Sequence, residues 1–476
     1  MKTCICHDLF LMLPELFLGL FAMTLQLVGI MKCCSKEAFS KLAILGLVIV
    51  IYLVFRVSSD SGAAFGSSYV VNYYTTVCKL LVLTATALVV VFYVGYQKST
   101  DFTFHSEYIT LVLLSSLGSC IAISARDLIV LFVGLELQAL PGYVLAAFNR
   151  FSPKSAEAGL KYFVLGALAS CIMLFGMSML YGFADSVNYT VIGEMFAAPS
   201  RNIGLVAGAI FLLCGIVFKL SVAPFHVWTP DVYEGSPIVS VSFFSSVMKL
   251  AALSVLINLL FIVLPSMESS ITPMLKVCAI LSMIIGSVGA VMQTSIKRLM
   301  AYSTILNMGY ALVPLMVFDD RSLSVSITYL FIYSISTIGF FVAITLALGS
   351  AADDACLSDI AGLAKTKKTL AVVISIFMFS MVGLPPFSGF FGKYYVLVHA
   401  MHANEYLLTL TVIITSIIAA YYYLNIVKSM YFCDNITKIS RDRTSIESLV
   451  LLTLTTGFTF FFSVFMQMSP LVINFA

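Results

Sequence analysis

Fourteen apolar stretches follow one another along this chain, joined by short polar connections. A run of about 20 apolar residues is the length of helix that crosses a ~30 Å hydrocarbon core. Segments of this length arriving one after another place the chain among polytopic helical membrane proteins. Composition agrees: 61% of the 476 residues are hydrophobic and 10% are charged, against roughly 25% charged in soluble domains. The 13 prolines and 28 glycines are ordinary punctuation for membrane helices. The expected fold is therefore an all-α polytopic membrane protein.

The stretches lie near 9–31, 41–55, 69–96, 107–123, 128–148, 158–183, 202–225, 236–264, 274–292, 299–318, 323–349, 369–400, 406–427 and 447–474, numbered spans 1 to 14. Loops after odd-numbered spans carry Lys32, Lys36, Lys98, Arg150, Lys154, Lys297, Arg298, Lys365, Lys367, Lys368, Lys438, Arg441 and Arg443. The opposite loops carry Arg56, Arg126, Arg201, Arg321 and Lys276. Because cytoplasmic loops hold the excess of Lys and Arg, both termini are expected on the outer face. That face is the periplasm in a bacterium or the intermembrane space in a mitochondrion. The first span is long and lacks a small-residue cleavage site, so it reads as a resident helix rather than a removable signal. No loop is long enough to fold as a domain. Asn188-Tyr189-Thr190 and Asn435-Ile436-Thr437 match the glycosylation triplet by chance, the second on the expected inner face.

Two spans carry proline where a continuous helix would need a donor. Span 7 breaks at Ala223-Pro224-Phe225 and span 12 at Leu384-Pro385-Pro386-Phe387, and Pro224 and Pro386 stand 162 residues apart. Unbroken, residues 369–400 would run about 48 Å, too long for a simple crossing; proline removes a donor and clashes one turn back. The echo implies two repeats of five spans, 4–8 and 9–13. An odd number of crossings per repeat puts the copies in opposite orientations, and inverted repeats with discontinuous helices near the midplane belong to transporters. The expected organisation is a three-helix segment (1–104), a first five-helix repeat (105–265), a second inverted one (274–430), and a closing inner-face loop and helix (431–476).

Four charges fall inside these apolar helices: Glu136 in span 5, Lys219 five residues before Pro224, Lys249 in span 8, and Lys393 seven residues after Pro386. Each lone charge at this depth costs at least ~2.5–3.5 kcal/mol, so partners or water must compensate. Burial favours a neutral lysine and an adjacent carboxylate favours a charged one. Glu136 beside Lys219 would hold that lysine's proton, and separating the pair would release it. Water-bridged, Glu136, Lys219, Lys249 and Lys393 form a proton relay. The plainer alternative is a set of static salt bridges, or lysines reaching to the interface; three lysines and a glutamate, with two lysines beside paired breaks, favour transport. His226, just past the first break, reads as a gate-side group together with Pro224, Pro385 and Pro386. Lys79 in span 3 has no break and no charged neighbour in sequence and is set aside. Arg126, Asp127 and Arg150 read as interfacial anchors at span ends. Trp228, the single tryptophan, suits an interfacial belt. Tyr421-Tyr422-Tyr423 and Phe460-Phe461-Phe462 read as lipid-facing or packing surface.

Several chemistries find no residues here. The eleven cysteines are scattered through apolar spans as small core residues and set out no disulfide framework. Cys4-Ile5-Cys6-His7 lacks a fourth metal ligand. There is no Fe–S cysteine spacing, no paired haem histidines and no dinucleotide fingerprint. Gly389-Phe390-Phe391-Gly392-Lys393 lacks both the spacing and the Ser/Thr of a phosphate loop. A formal net charge of +3, spread over short loops, contains no basic run of nucleic-acid type.

Particular blocks resemble a known family: Gly134-Leu-Glu136-Leu, Pro141-Gly-Tyr-Val-Leu-Ala-Ala-Phe148, Glu157-Ala-Gly-Leu-Lys-Tyr-Phe-Val-Leu-Gly166, Phe218-Lys219-Leu-Ser-Val-Ala-Pro-Phe-His226-Val-Trp-Thr-Pro-Asp-Val-Tyr-Glu-Gly235 and Lys297-Arg-Leu-Met-Ala-Tyr-Ser303. They are similar to the antiporter-type membrane subunits of respiratory complex I, the NADH-quinone oxidoreductase, and of multisubunit sodium/proton antiporters. Three features set the chain within one branch of that family. These are the Trp228–Gly235 block, Lys393 where a sibling branch has glutamate, and a stop after span 14 where another sibling continues into a long lateral helix. The resemblance implies proton pumping in a bacterial inner or mitochondrial inner membrane, driven by electron transfer from NADH to quinone in other subunits. It implies Glu136 and Lys219 as the charge pair, Lys249 as the link between repeats and Lys393 as terminal donor or acceptor. It implies no catalytic redox, cofactor or metal site on this chain, with NADH, FMN, Fe–S clusters and quinone on partner subunits. The partners implied are the other membrane-arm subunits and lipid, with no nucleic acid and no soluble substrate. A sodium/proton antiporter subunit and a purely structural spacer remain the alternatives.

Overall fold

A computed structural model describes residues 5–31, 35–100, 105–198, 202–433 and 445–468, with side chains up to 462. Cys4, Asn435 to Thr437, Lys32, Arg201, Lys438, Arg441 and Arg443 lie outside the described residues.

Among the described residues, twelve helices are long and apolar enough to cross a membrane. They are span 1 (Leu13–Ile30), 2 (Lys36–Val57), 3 (Tyr73–Ser99), 4 (Ser106–Ser124), 5 (Leu128–Ala146), 6 (Pro153–Ala184), 7 (Ile203–Leu220), 8 (Ile238–Val263), 9 (Pro265–Val291), 10 (Ile296–Val317), 11 (Arg321–Asp354) and 13 (Tyr406–Phe432). Span 12 is two shorter pieces, Lys368–Val382 and Ser388–His402, and span 14 is Ile446–Met468. The ends follow local chemistry. Ser35, Asn72 and Asp127 cap spans 2, 3 and 5 by accepting from Ala38, Thr75 and Ile129 backbone N–H groups, which satisfies donors a helix start leaves free.

The connections sort onto two faces. Loops after spans 2, 4 and 6 interlock: Arg126 N–H donates to Ser68 O (2.9 Å), Leu128 N–H to Val187 O (3.0 Å) and Tyr189 N–H to Arg126 O (3.0 Å). Loops after odd spans meet on the other face. There the Ile238 N–H and the Tyr96 hydroxyl both donate to Asp353 (2.7 and 2.6 Å), Leu357 N–H donates to Thr294 O (2.9 Å), and Lys98 pairs with Glu447 at 2.6 Å. These are the odd-loop and even-loop faces below. Asn188 caps a short helix, Tyr189–Ala197, by accepting from Thr190, which gives that triplet a local structural role.

The inverted repeat is visible in the backbone. An antiparallel bridge joins Asp127 to Asn188 on the even-loop face, and another joins Ser295 to Cys356 on the odd-loop face. Both members of the second bridge lie 168 residues after those of the first. The same construction therefore recurs upside down. The breaks in spans 7 and 12 are where sequence placed them. Span 8 has a further break: its helix stops at Ser245 and restarts at Val247, with Ser246 at φ −113° and ψ −78°, three residues before Lys249.

Candidate functional site

The two interrupted helices end alike. The first half of span 7 closes on Ser221 (φ 61°) and the first half of span 12 on Gly383 (φ 91°), both left-handed, as helix C-termini favour. Val222 N–H donates back to Val217 O (3.1 Å) and Leu384 N–H to Phe379 O (3.0 Å). Every one of these residues lies 162 before its counterpart, so the breaks are equivalent positions of the two repeats. A cis X-Pro bond follows each, at Ala223-Pro224 and Pro385-Pro386. Pro224, Pro385 and Pro386 lie exposed on the outside of the bundle, and His226 beside them is half-buried. The His226 Nδ1 is enclosed and has no hydrogen-bond partner among the described residues.

Backbone groups freed at a break need partners at this depth, and the partners are the ionisable residues. Lys249 donates to Lys219 O at 2.8 Å and to Ser221 Oγ at 2.5 Å. Trp228 Nε1 donates to Phe218 O (3.2 Å), and Ser282 of span 9 accepts from Ala223 N–H (2.7 Å). At the second break Lys393 donates to Met381 O and Val382 O, both at 2.9 Å. Met381 is the 162-residue counterpart of Lys219, so the same carbonyl in each repeat receives a lysine amine, from span 8 in one and from the second half of span 12 in the other. A helix C-terminus carries partial negative charge and favours a cation there.

Glu136 and Lys219 complete the first cluster. Their Oε1 and Nζ stand 3.6 Å apart, with side chains 22% and 12% exposed, and Ser170 of span 6 donates to the same Oε1 at 2.5 Å. Lys249 is 1% exposed and sits 4.8 Å over the Trp228 ring. The structure thus brings Glu136, Lys219 and Lys249 together. It holds Lys393 at the second break among a different set of partners: 5.5 Å over the Tyr310 ring and beside a cavity of about 20 Å³ lined by Asn307, Tyr329, Tyr333, Ser336 and Ser380. That is room for one water.

Three sequence expectations change. Trp228 is no interfacial anchor: it is 2% exposed, stacked on Tyr162 at 4.5 Å, because the segment after the break turns back into protein. Lys79 does have a charged neighbour, Glu15 of span 1, at 2.6 Å, with both side chains buried, and it also donates to Tyr69 (2.7 Å). Within the tyrosine run only Tyr421 faces outward; Tyr423 hydrogen-bonds Ser303 at 2.5 Å inside the second repeat. Sequence reasoning also missed a charged cavity of about 210 Å³ on the odd-loop face, lined by Lys154, Glu157, Lys161, Asp231, Glu234 and Arg298. There Lys161 and Arg298 both pair with Asp231, at 2.8 and 3.2 Å. Asp231 and Glu234 belong to the polar block after the first break, which was the available signal.

Inverted five-helix repeats, each with one interrupted helix and ionisable groups on its open end, define an antiporter-like membrane subunit. The chain belongs to the family described as NADH:quinone oxidoreductase/Mrp antiporter, TM, which matches residues 125–419. It is 41% identical over 427 residues to NADH-quinone oxidoreductase subunit N of Rickettsia felis, covering 90% of this chain and 93% of that one. It is 38% identical over 467 residues to subunit N of Parvibaculum lavamentivorans, covering 97% and 95%. Among solved structures, a chain of respiratory complex I from Thermus thermophilus is similar with TM-score 0.79 and 27% identity, over 95% of this chain and 98% of that one. A chain of the Mrp complex from Dietzia shares the fold, with TM-score 0.84 and 20% identity over 97% and 95%.

Proposed function

We propose that this chain is a proton-translocating subunit in the membrane arm of an NADH-quinone oxidoreductase. Protons pass along Glu136, Lys219, Lys249 and Lys393, and electron transfer in other subunits drives them. NADH, FMN, Fe–S clusters and quinone are assigned to those subunits, and the direct partners are neighbouring membrane-arm subunits and lipid. Relatives at about 40% identity carry the subunit N name across nine-tenths of the chain, which supports the complex. The likeness to the Mrp chain at 20% identity supports only a common fold, so the sodium/proton antiporter reading is second. By the distribution of lysine and arginine, the odd-loop face is the inner side of a bacterial or mitochondrial inner membrane and both termini lie outside.

The observation that carries the relay is the Glu136–Lys219–Lys249 cluster. A carboxylate stands 3.6 Å from one lysine, whose own carbonyl receives the next. A proton held on Lys219 is stabilised by Glu136, and a second positive charge on Lys249 opposes it through a short path. Movement of charge at either end therefore changes which lysine is protonated. In membrane vesicles containing the assembled complex, Lys219→Ala and Glu136→Gln should leave assembly intact and lose most proton translocation coupled to quinone reduction. Full proton stoichiometry in Lys219→Ala would sink the relay and leave a spacer. A complex that does not oxidise NADH would sink the assignment to this enzyme.

A further inference from the structure

The left-handed position that ends each half-helix is filled differently in the two repeats. Gly383 takes it in span 12 and Ser221 in span 7, at φ 91° and φ 61°. Glycine enters that region freely, whereas a residue with a Cβ does so at a cost. The backbone around the two positions is the same: Ser221 N–H donates to Phe218 O (2.9 Å), as Gly383 N–H donates to the counterpart, Ser380 O (3.0 Å). The turn therefore has no need of the serine side chain and would form more easily without it.

What the side chain reaches is Lys249. Ser221 is fully buried; its hydroxyl oxygen accepts from the Lys249 ammonium and makes no other hydrogen bond among the described residues. Lys249 also donates to Lys219 O at 2.8 Å and stands over the face of Trp228. A carbonyl oxygen only accepts, whereas a hydroxyl accepts or donates. The ammonium needs acceptors, but the neutral amine has a lone pair, and of these three contacts only the Ser221 hydroxyl can turn and donate to it. At the second break the lysine itself takes that space: a Cβ on Gly383 would stand 3.0 Å from Lys393 Cδ and 3.8 Å from its Nζ. Lys393 is left with Met381 O and Val382 O, which accept only.

We propose that Ser221 is a positioning residue for proton exchange at Lys249, bonding its ammonium as an acceptor and its neutral amine as a donor. This role rests on the relay described above. When the relay takes a proton from Lys249, one N–H bond breaks and the amine keeps the electron pair. The Ser221 hydroxyl rotates about its C–O bond, and its own O–H bond stays intact. Both protonation states thus keep a partner at the break, where a buried polar group left without one is costly.

The test separates the hydroxyl from the backbone. Ser221→Gly removes the hydroxyl and eases the turn. Ser221→Ala removes the hydroxyl and keeps the Cβ. Ser221→Thr keeps the hydroxyl and strains the turn, since a β-branched residue fits the left-handed region poorly. In the purified complex this subunit should withstand heat better with glycine than with alanine, and worse with threonine than with serine. In vesicles the glycine and alanine variants should lose NADH-driven proton translocation several-fold and alike, and threonine should recover most of it. Should threonine prevent assembly, the glycine–alanine pair still decides. Translocation that follows heat stability across the variants, or native translocation in Ser221→Gly while Lys249→Ala is inactive, would overturn the role of Ser221 and leave the relay standing. Native translocation in Lys249→Ala would overturn both.

Discussion

Two ion pairs in this chain have the same length and should differ several-fold in energy. Lys79–Glu15 and Lys98–Glu447 are both 2.6 Å, but the first has side chains 4% and 1% exposed and the second 39% and 31%. Lys79 lies six residues into span 3, about 9 Å below its start, and ties span 1 to span 3 and to Tyr69 in the hairpin between spans 2 and 3. Burial is the main cause holding the Tyr69 phenol well above its ordinary pKa, with the Glu15 carboxylate second; it therefore stays neutral and does not compete for the lysine's charge. Removing one partner of a buried pair strands the other charge and costs about 3–5 kcal/mol, whereas an exposed pair is worth about 0–1 kcal/mol. Lys79→Met or Glu15→Gln alone should lower the thermal midpoint of the detergent-solubilised protein markedly. The Lys79→Met/Glu15→Gln double variant should recover most of the loss, because two neutral groups of similar shape replace the pair. Lys98→Met should barely register. Single losses at Lys79 no larger than at Lys98, or a double variant whose loss equals the sum of the singles, would refute the reasoning.

Two further outcomes follow from the site's geometry. Ser170→Ala removes one donor to the Glu136 carboxylate, worth about 1.5–3 kcal/mol for a hydrogen bond to a charged group. It should slow proton translocation a few-fold in vesicle pH assays, with Ser170→Thr recovering it. Gly389→Ala drives a Cβ into the Ser380 carbonyl oxygen, so the halves of span 12 must part, at about 1–3 kcal/mol. Lower stability and impaired proton release together are expected, and an unaltered melting curve would contradict the packing.

The membrane made much of this legible in advance. A fixed hydrocarbon thickness turns composition into a count of helices, and prolines in spans 7 and 12 mark breaks because a helix at that depth cannot lose a donor silently. Glu136, Lys219, Lys249 and Lys393 stood out because each is alone among apolar neighbours. What stayed hidden depends on contacts between distant segments. Glu15 sits near a helix start, where a carboxylate is unremarked, and only the packing of spans 1 and 3 makes it the partner of Lys79. Trp228 follows a helix end within a polar block, the pattern of an interface, yet the chain folds it over Lys249. The break at Ser246 has no proline to announce it. The hydroxyls of Ser170 and Ser221 belong to residues too common in these helices to be singled out without knowing what each faces.

The two repeats share a backbone and divide the chemistry unequally. Counting from Asp127 and Ser295, which begin the same bridge, the counterpart of Glu136 is Thr304, whose hydroxyl bonds Met300 O and Tyr333. The counterpart of Lys219 is Met381. At these positions the second repeat therefore has no counterpart of the Glu136–Lys219 pair, and the buried lysine at its break leans on carbonyl dipoles and a cavity of neutral polar groups. A charge held by an adjacent carboxylate responds to whatever displaces that carboxylate; a charge held by fixed dipoles responds only to gaining or losing its proton. On the reading proposed above, the Glu136–Lys219–Lys249 cluster is the part that responds to charge moving along the membrane plane, and Lys393 the part that responds to its own proton.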